Sequence, residues 1–476
     1  MSFLIASAAK EKNCSQLISP GSFLSPITHR NSWHSSFGDF EFGFYKQGSR
    51  YAIGIWLANC NETTVVWTAN RDDPLVAVNA MLVFTDYGKL VLTTEQGLER
   101  LIANATHPAS FACMHDSGNF VLYNEKFDVV WQSFEHPTDS MLGGQILPVR
   151  GQLFSSLSET DHSTGRFHLK MQDDGNLVLY PVNTIDSSSD AHWSTTTFGA
   201  GYNFHLFLSS TGLLSLINTT NSERVYDLND MSTSDNNQNS SIYRATLDAD
   251  GVFRLYSHAR DEDGKLQAPI RIWSALENPC EVKGSCGLNS YCTYYDAQPN
   301  CMCLPGTDFA DLRSRTSGCL RNYTEMGCRD GKENASFYYM TRMENMMWGD
   351  MPYAKEQTSL EECSKSCLED CNCGAALFDY KARACTKQKH PLIYVRRDIR
   401  EQTSAFLKVG SRSSVKSRNE TEPVKVVKPP TVTMITNKKA LVQIVVLASG
   451  FILFSCVALA ISGIYVFKIR VLRYKS

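Results

Sequence analysis

The sequence lacks a dominant charge: 46 Lys and Arg against 49 Asp and Glu leave a formal −3 over 476 residues. That balance gives neither the basic footprint of a nucleic-acid binder nor a large acidic field. Its histidines are scattered, with no Ser or Cys nucleophile at motif spacing, so hydrolase chemistry has no support and no catalytic residue is expected. Helical periodicity is nearly absent from the first 260 residues. Cysteine is scarce there as well: of sixteen, only Cys14, Cys60 and Cys113 precede residue 280, and thirteen lie from Cys280 to Cys456. Two kinds of domain therefore follow one another, one filling its cores with apolar side chains and one needing cross-links. With 43% hydrophobic and 11% aromatic residues, material for such cores is ample and global disorder is excluded.

Charge is also missing from 441–467, a run of 27 residues where about 20 suffice to span a bilayer. A transmembrane helix is expected there. Lys468, Arg470, Arg473 and Lys475 follow it, against Lys438 and Lys439 before it, so the positive-inside bias puts the C-terminus in the cytoplasm and the bulk of the chain outside the cell. Eight N-glycosylation sequons, at Asn13, Asn61, Asn104, Asn218, Asn239, Asn322, Asn334 and Asn419, all precede the helix. Their one-sidedness fits a single-pass type I protein of the plasma membrane. The opening MSFLIASAAK is too short and too poor in positive charge for a full secretory signal, and reads as a remnant of one within 1–29.

What the first 260 residues do have is a repeat of D-x-G followed by alternating apolar residues. Copies begin at Asp86, Asp116 and Asp173, with weaker ones around Gly212 and Gly251. The Gly supplies the positive φ of a tight turn and the Val, Leu and Tyr after it have strand character, so each copy reads as a hairpin of a stacked all-β unit. From Cys280 to Cys319 the spacing C-x5-C-x5-C-x8-C-x-C-x15-C describes a module too small to fold without cross-links. Zinc competes as a reading, but that segment has no CxxC or Cys/His pairing at metal spacing, and neither metal nor cofactor is expected. In the next segment SLEECSKSCLED at 359–370 reads as a helix opened by a capping box, with Cys363 and Cys367 on one face. Met343, Met346, Met347, Met351 and Trp348 are expected to pack against that helix. Residues 410–437 are polar, basic and aperiodic, as in a flexible stalk.

The segments FGFY at 42–45, IGIW at 53–56, TVVWTANRDDP at 64–74 and WQSFEHPTDSMLGGQ at 131–145 resemble the plant G-type lectin S-receptor-like kinases and S-locus glycoproteins. The resemblance covers essentially the whole chain up to the stalk. It implies a mainly β protein: tandem β-prism, bulb-type lectin domains at 30–150 and 151–260, an EGF-like module at 276–320 and a PAN/apple-like module at 328–409. It also implies the disulfides Cys280–Cys292, Cys286–Cys301, Cys303–Cys319, Cys363–Cys385 and Cys367–Cys373. Cys328 and Cys371 remain as one pair, and Cys14, Cys60 and Cys113 leave an odd thiol. The tail 468–476 cannot hold a Gly-rich phosphate loop or HRD-type sequence, so the family's kinase activity is not carried over to these residues.

Bulb-type lectins bind mannose through Q-x-D-x-N-x-V-x-Y, and one intact copy stands at Gln172, Asp174, Asn176, Val178 and Tyr180. Alternate residues of a strand share a face, so the five would line one shallow surface: a carboxylate and two amides for sugar hydroxyls, a phenol, and an apolar contact for the ring. The copy at His115, Ser117, Asn119, Val121 and Tyr123 has lost its Gln and Asp, and that at Thr85, Tyr87, Lys89, Val91 and Thr93 keeps only the Val. The intact copy supports two readings, a sugar site or a hairpin retained for its turn and packing. Asp261-Glu-Asp263-Gly264 reads as a solvated turn rather than a calcium loop. The expected function is recognition of a carbohydrate or a secreted peptide or protein at the cell surface, with a homodimer or co-receptor kinase as partner. The alternatives are the truncated ectodomain of a receptor kinase and a structural cell-wall glycoprotein.

Overall fold

The computed structural model describes residue 14 and residues 16–410, apart from 29–30, 61–62, 106, 200–202, 219, 222, 231–240, 296–297 and 324–336. The expected membrane helix, the tail, the stalk beyond Gly410, Cys328 and the sequons at Asn13, Asn61, Asn239, Asn334 and Asn419 lie outside the described residues. Among the described residues no helix is long and apolar enough to cross a membrane.

The repeated hairpins build two three-sided prisms of antiparallel sheet. In the first, Phe40–Gln47 and Arg50–Leu57 are flanked by Ser32–His34 and Thr64–Thr68; a second sheet joins Phe23–Leu24, Met81–Phe84, Leu90–Thr93 and Glu99–Leu101; a third joins Phe111–Met114, Phe120–Tyr123 and Val129–Gln132. Alternate residues from all three meet inside, with Leu82, Phe84, Leu90, Phe42 and Phe120 fully buried. The rings of Phe42 and Phe120 stack at 3.8 Å between centroids. The predicted turns form at positive φ, as at Gly118 (+86°), where a Cβ would stand 2.3 Å from Leu142 Cδ1; no other residue fits both the backbone and the space.

The second prism repeats the plan around a separate core that includes Phe167, Leu169, Leu177, Leu179, Leu214 and Phe253. The sheets divide the chain earlier than residue 150. Ser140–Leu142 pairs with Ile242–Leu247, and Ile146–Leu147 with Phe204–Leu208, so both belong to the second prism, which continues to the strand Ile270–Ser274. In turn Ile18 and Leu24, ahead of residue 30, sit in the first core. These edge strands have two or three residues, too few to show an alternation. Two arginines tie neighbours together. Arg71 donates from Nε to His162 O (2.7 Å), from Nη1 to Phe154 O (2.9 Å) and from Nη2 to Ser155 O and Ser163 O (3.1 Å each). Arg166 donates to Gly284 O and Ser285 O (3.0 Å each) and to Thr316 O (3.1 Å), joining the second prism to the cysteine-rich segment.

That segment is a hairpin, Ser290–Tyr295 with Gln298–Cys303, around sulfurs joined as Cys280–Cys292, Cys286–Cys301 and Cys303–Cys319. Beyond it a five-stranded sheet, in the order Tyr338–Glu344, Thr403–Gly410, Ala375–Asp379, Ala384–Gln388, Ala354–Gln357, carries helix α1, Leu360–Glu369. Ser359 Oγ caps the helix by accepting from Glu362 N at 3.2 Å. Cys363 and Cys367 face inward and bond Cys385 and Cys373. Cys371 is also disulfide-bonded. Cys14 joins Cys113, which accounts for two of the odd three, while the Cys60 thiol donates to Leu57 O at 3.2 Å. The methionine cluster does not pack on α1. Met346 is fully buried with Leu304, Leu392, Val395 and Leu407, with Met343 and Trp348 against it, whereas Met351 is 77% exposed. The cause is a pairing that spacing does not reveal: Ser290–Tyr295 runs parallel to Val395–Arg397, which pairs with Met346–Trp348.

Candidate functional site

Strand Leu177–Pro181 lies between Thr164–Met171 and Trp193–Ser194. Leu177 and Leu179 point into the core, so Val178 and Tyr180 face outward, opposite Lys170 and His168 on the neighbouring strand. The hairpin turn sets Asp174 at the exposed tip, where its Oδ1 accepts from Asn176 N at 3.0 Å. Gln172 Nε2 donates to Tyr180 Oη at 2.8 Å, closing the hairpin across its two strands. Asn176 Oδ1 accepts from Thr195 Oγ1 (3.1 Å) and Thr197 N (3.2 Å). Its Nδ2 has no partner among the described residues.

All five motif residues thus fall on one hairpin, but they are not equally available. Val178 and Tyr180 are each only 2% exposed. The segment 182–192 crosses their face and is anchored by Asp186, whose carboxylate meets Lys170 Nζ at 2.6 Å and His168 Nε2 at 3.1 Å. Burial pushes His168 below its ordinary value, with Asp186 opposing and Lys170 reinforcing the shift. Burial likewise pushes the Tyr180 phenol up, while its bond from Gln172 opposes. At the polar end Asp174 is exposed and Gln172 half-buried, while Asn176 is itself only 9% exposed; together these groups can both donate to and accept from a ligand's hydroxyls.

The other copies show what the first and last positions do. His115 Nε2 lies 2.8 Å from Tyr123 Oη, and Tyr123 thus closes its hairpin as Tyr180 does. Asn119 in that copy is fully engaged, donating to Gln132 Oε1 at 2.8 Å and accepting from Ser133 Oγ and Phe134 N at 3.2 Å. A third case is the weaker copy around Gly251, whose match to the motif spacing the repeat alone did not show. In Asp248-x-Asp250-x-Val252-x-Arg254-x-Tyr256 the motif spacing survives with other residues, and Tyr256 Oη donates to Asp248 Oδ2 at 2.6 Å. Arg254 bridges Asp248 and Asp250 at 2.7 Å each, so here an ion network fills the place where the motif would present amides. The nine-residue register counted from Asp248 was the signal available for it.

Asn104 and Asn322 are exposed, and Asn218 is half-buried with its Oδ1 accepting from Thr220 N at 2.8 Å. Asp261 Oδ1 accepts from Asp263 N and Lys265 N, closing a turn on its own backbone.

Residues 64–153 match the D-mannose binding lectin family and residues 328–394 match the PAN-like domain family. A G-type lectin S-receptor-like serine/threonine-protein kinase, LECRK2, of Oryza sativa subsp. japonica is 33% identical over 435 residues, 86% of this chain and 52% of that protein. Over most of its length the chain is thus homologous to G-type lectin S-receptor-like kinases. RLK1 of Arabidopsis thaliana, with the same family name, is 29% identical over 409 residues, 80% of this chain and 48% of its own. The chain spans about half the length of these curated relatives. A solved mannose-specific agglutinin from snowdrop is 24% identical over 26% of this chain and 95% of its own, with a TM-score of 0.20. The chain carries a mannose-binding-type lectin domain and a PAN-like domain, and no kinase domain is evident in it.

Proposed function

We propose that this protein is the recognition part of a single-pass cell-surface receptor of the lectin type, anchored by 441–467, with 276–320 acting as an EGF-like spacer before the PAN-like domain. Its ligand is an extracellular mannose-type carbohydrate taken at the open end of the hairpin, with Asp174 accepting from a sugar hydroxyl and Gln172 and Asn176 on either side of it. The observation carrying this reading is the unpartnered Asn176 Nδ2 beside an exposed Asp174, the only motif copy with both residues present. A single shallow site of this kind binds weakly. Signalling then depends on a kinase, and the relatives' family name points to a serine/threonine kinase.

Calorimetry on the whole chain in detergent with mannose and mannose oligomers tests it. Asp174→Ala leaves the hydroxyl and neighbouring amides unpaired and weakens binding roughly tenfold to hundredfold. Ser117→Ala changes nothing. Equal heats for wild type and Asp174→Ala would rule the site out. The burial of Val178 and Tyr180 favours one second reading, a peptide or protein ligand bound elsewhere on the surface.

A further inference from the structure

Between the cysteine-rich hairpin and the PAN-like domain lies a cavity of about 90 Å³, walled by the loop after Cys280 and by the strands carrying Met347 and Arg396. Its lining includes Met347, Trp348, Tyr394, Lys283, Arg396 and Glu281. Two of these residues hold buried N–H groups with no partner among the described residues, Trp348 Nε1 and Arg396 Nε. The Arg396 guanidinium donates from Nη2 to the thioether of Met347 at 3.4 Å, and among the described residues it forms no ion pair. A thioether is a weak acceptor, and half-buried guanidinium groups are ordinarily met by carboxylate or phosphate. Lys283 adds a second cation, its Nζ 5.7 Å from the Tyr394 ring and donating to Ser189 O. Glu281 is the one carboxylate in the lining; Asp190 and Asp350 act on Lys283 and Asp398 on Arg396 from outside it, so what the lining has in excess is hydrogen-bond donors rather than net charge.

A second feature lies alongside. Met346–Trp348 is the last strand of its four-stranded sheet. Gly349 N bonds Tyr394 O and Asp398 N bonds Asn345 O, which fixes the parity of the ladder. Trp348 therefore turns its main-chain N–H and C=O to the outer edge, where none of the described residues pairs with them. An edge strand of this kind can add an extended peptide through main-chain bonds, with an adjacent pocket reading a side chain.

We infer that this is a binding site for an extended peptide carrying an acidic residue, whose carboxylate is received by the terminal nitrogens of Arg396 in place of the Met347 thioether while its backbone adds beside Trp348. At about 10–15 Å³ for each water position, the cavity holds an Asp or Glu side chain. The apolar walls of Met347 and Tyr394 suit the methylenes of such a residue.

The test uses the whole chain labelled with 5-fluorotryptophan, whose seven tryptophans give fluorine signals; the one missing from Trp348→Phe reports on the cavity. The probes are acetyl-Val-Asp-Leu-amide, its Asn counterpart, and free galacturonate as a carboxylate borne by a sugar. The Asp peptide shifts the Trp348 signal saturably, with a dissociation constant on the order of millimolar, as suits so small a ligand. The Asn peptide binds at least about fivefold more weakly, and Arg396→Gln weakens the Asp peptide at least about tenfold, the loss of one charge-assisted pair. Arg396→Lys, which keeps the charge without the fork, falls between and guards against a misfolded variant. The proposal is overturned if the Asp peptide gives no shift, if the Asn peptide shifts it equally, if Arg396→Gln binds as wild type does, or if galacturonate binds as tightly as the peptide. Mannose calorimetry on Arg396→Gln is unchanged, which separates failure here from failure of the sugar site.

Discussion

At the scale of single residues, the interior carries histidines that acid will find. Burial drives His192, His258 and His390 each down to about 4. Lys283 and His168 also lower His192, Arg244 lowers His258, and Arg321 and Lys408 lower His390; Asp250 and two backbone bonds push back without prevailing. In the unfolded chain such groups titrate near 6.5. Between pH 6.5 and 4 the unfolded state therefore binds protons that the folded state refuses. Stability is full above pH 6.5 and falls as the solution is acidified through that window. Thermal unfolding should be flat from pH 8 to 7 and move to lower temperature from pH 6.5 to 4.5. Both His390 ring nitrogens are buried without a partner, so His390→Phe removes two unsatisfied polar atoms and one of the three titrations. Its melting temperature should exceed wild type by more at pH 5 than at pH 7. An equal difference at both pH values would show that His390 protonates freely in the folded state.

At the scale of elements, what could be read in the sequence was whatever repeats or caps locally. The D-x-G hairpins were legible because Gly118 and its counterparts need positive φ and the following Leu residues alternate. Helix α1 was legible because Ser359 caps it and Cys363 and Cys367 fall four residues apart. The segment 182–192 was not, since a polar loop without periodicity gives no sign of where it will lie, and its anchors are non-local: an ion cluster joins Asp186 to Lys170 and His168, Lys283 donates to Ser189 O and His192 Nε2 meets Gly251 O. Nor was the methionine cluster, whose partners come from a strand some fifty residues on, as Met347 opposite Arg396 illustrates. The loop gives a prediction of its own. Asp186→Asn removes the carboxylate of the pair and leaves Lys170 a weaker bond from its ammonium to a neutral amide oxygen. Amide exchange across 184–190 should quicken roughly tenfold or more, and sugar binding at Gln172–Tyr180 should tighten as Val178 and Tyr180 become reachable. Faster exchange with unchanged sugar affinity would mean that the apolar face takes no part in binding.

At the scale of the molecule, the main cores of the two prisms are separate clusters, although Leu142 and Leu266 enter the first core and Val282 of the cysteine-rich segment enters the second, and buried polar contacts add to the joint between the prisms. Arg71 is the principal joint between the prisms. Burial pushes its guanidinium down from its ordinary value, with Asp139 and Asp72 opposing. Its fork satisfies carbonyls of Phe154, Ser155, His162 and Ser163 together. Beside it Asp72 accepts from Thr164 N at 2.8 Å and Oγ1 at 2.7 Å, and Trp67 Nε1 donates to His136 O at 2.7 Å. The stretch TVVWTANRDDP at 64–74 is thus a clamp between prisms as well as part of a strand, which explains why it carries so many polar residues after Trp67. Arg71→Ala leaves four carbonyls short of a donor at a part-buried joint, a loss on the order of 1–3 kcal/mol. Each prism keeps its own core, so the loss should appear as uncoupling. Calorimetry should show the prism transition broadening or splitting, and small-angle scattering should show a larger radius of gyration. Arg71→Lys should restore little, because an ammonium on a flexible stem cannot reach four acceptors in fixed directions as the planar fork does. A single unshifted transition for Arg71→Ala would place the coupling instead on Asp72 and Trp67, and the paired variant Asp72→Ala with Trp67→Phe would then produce the split.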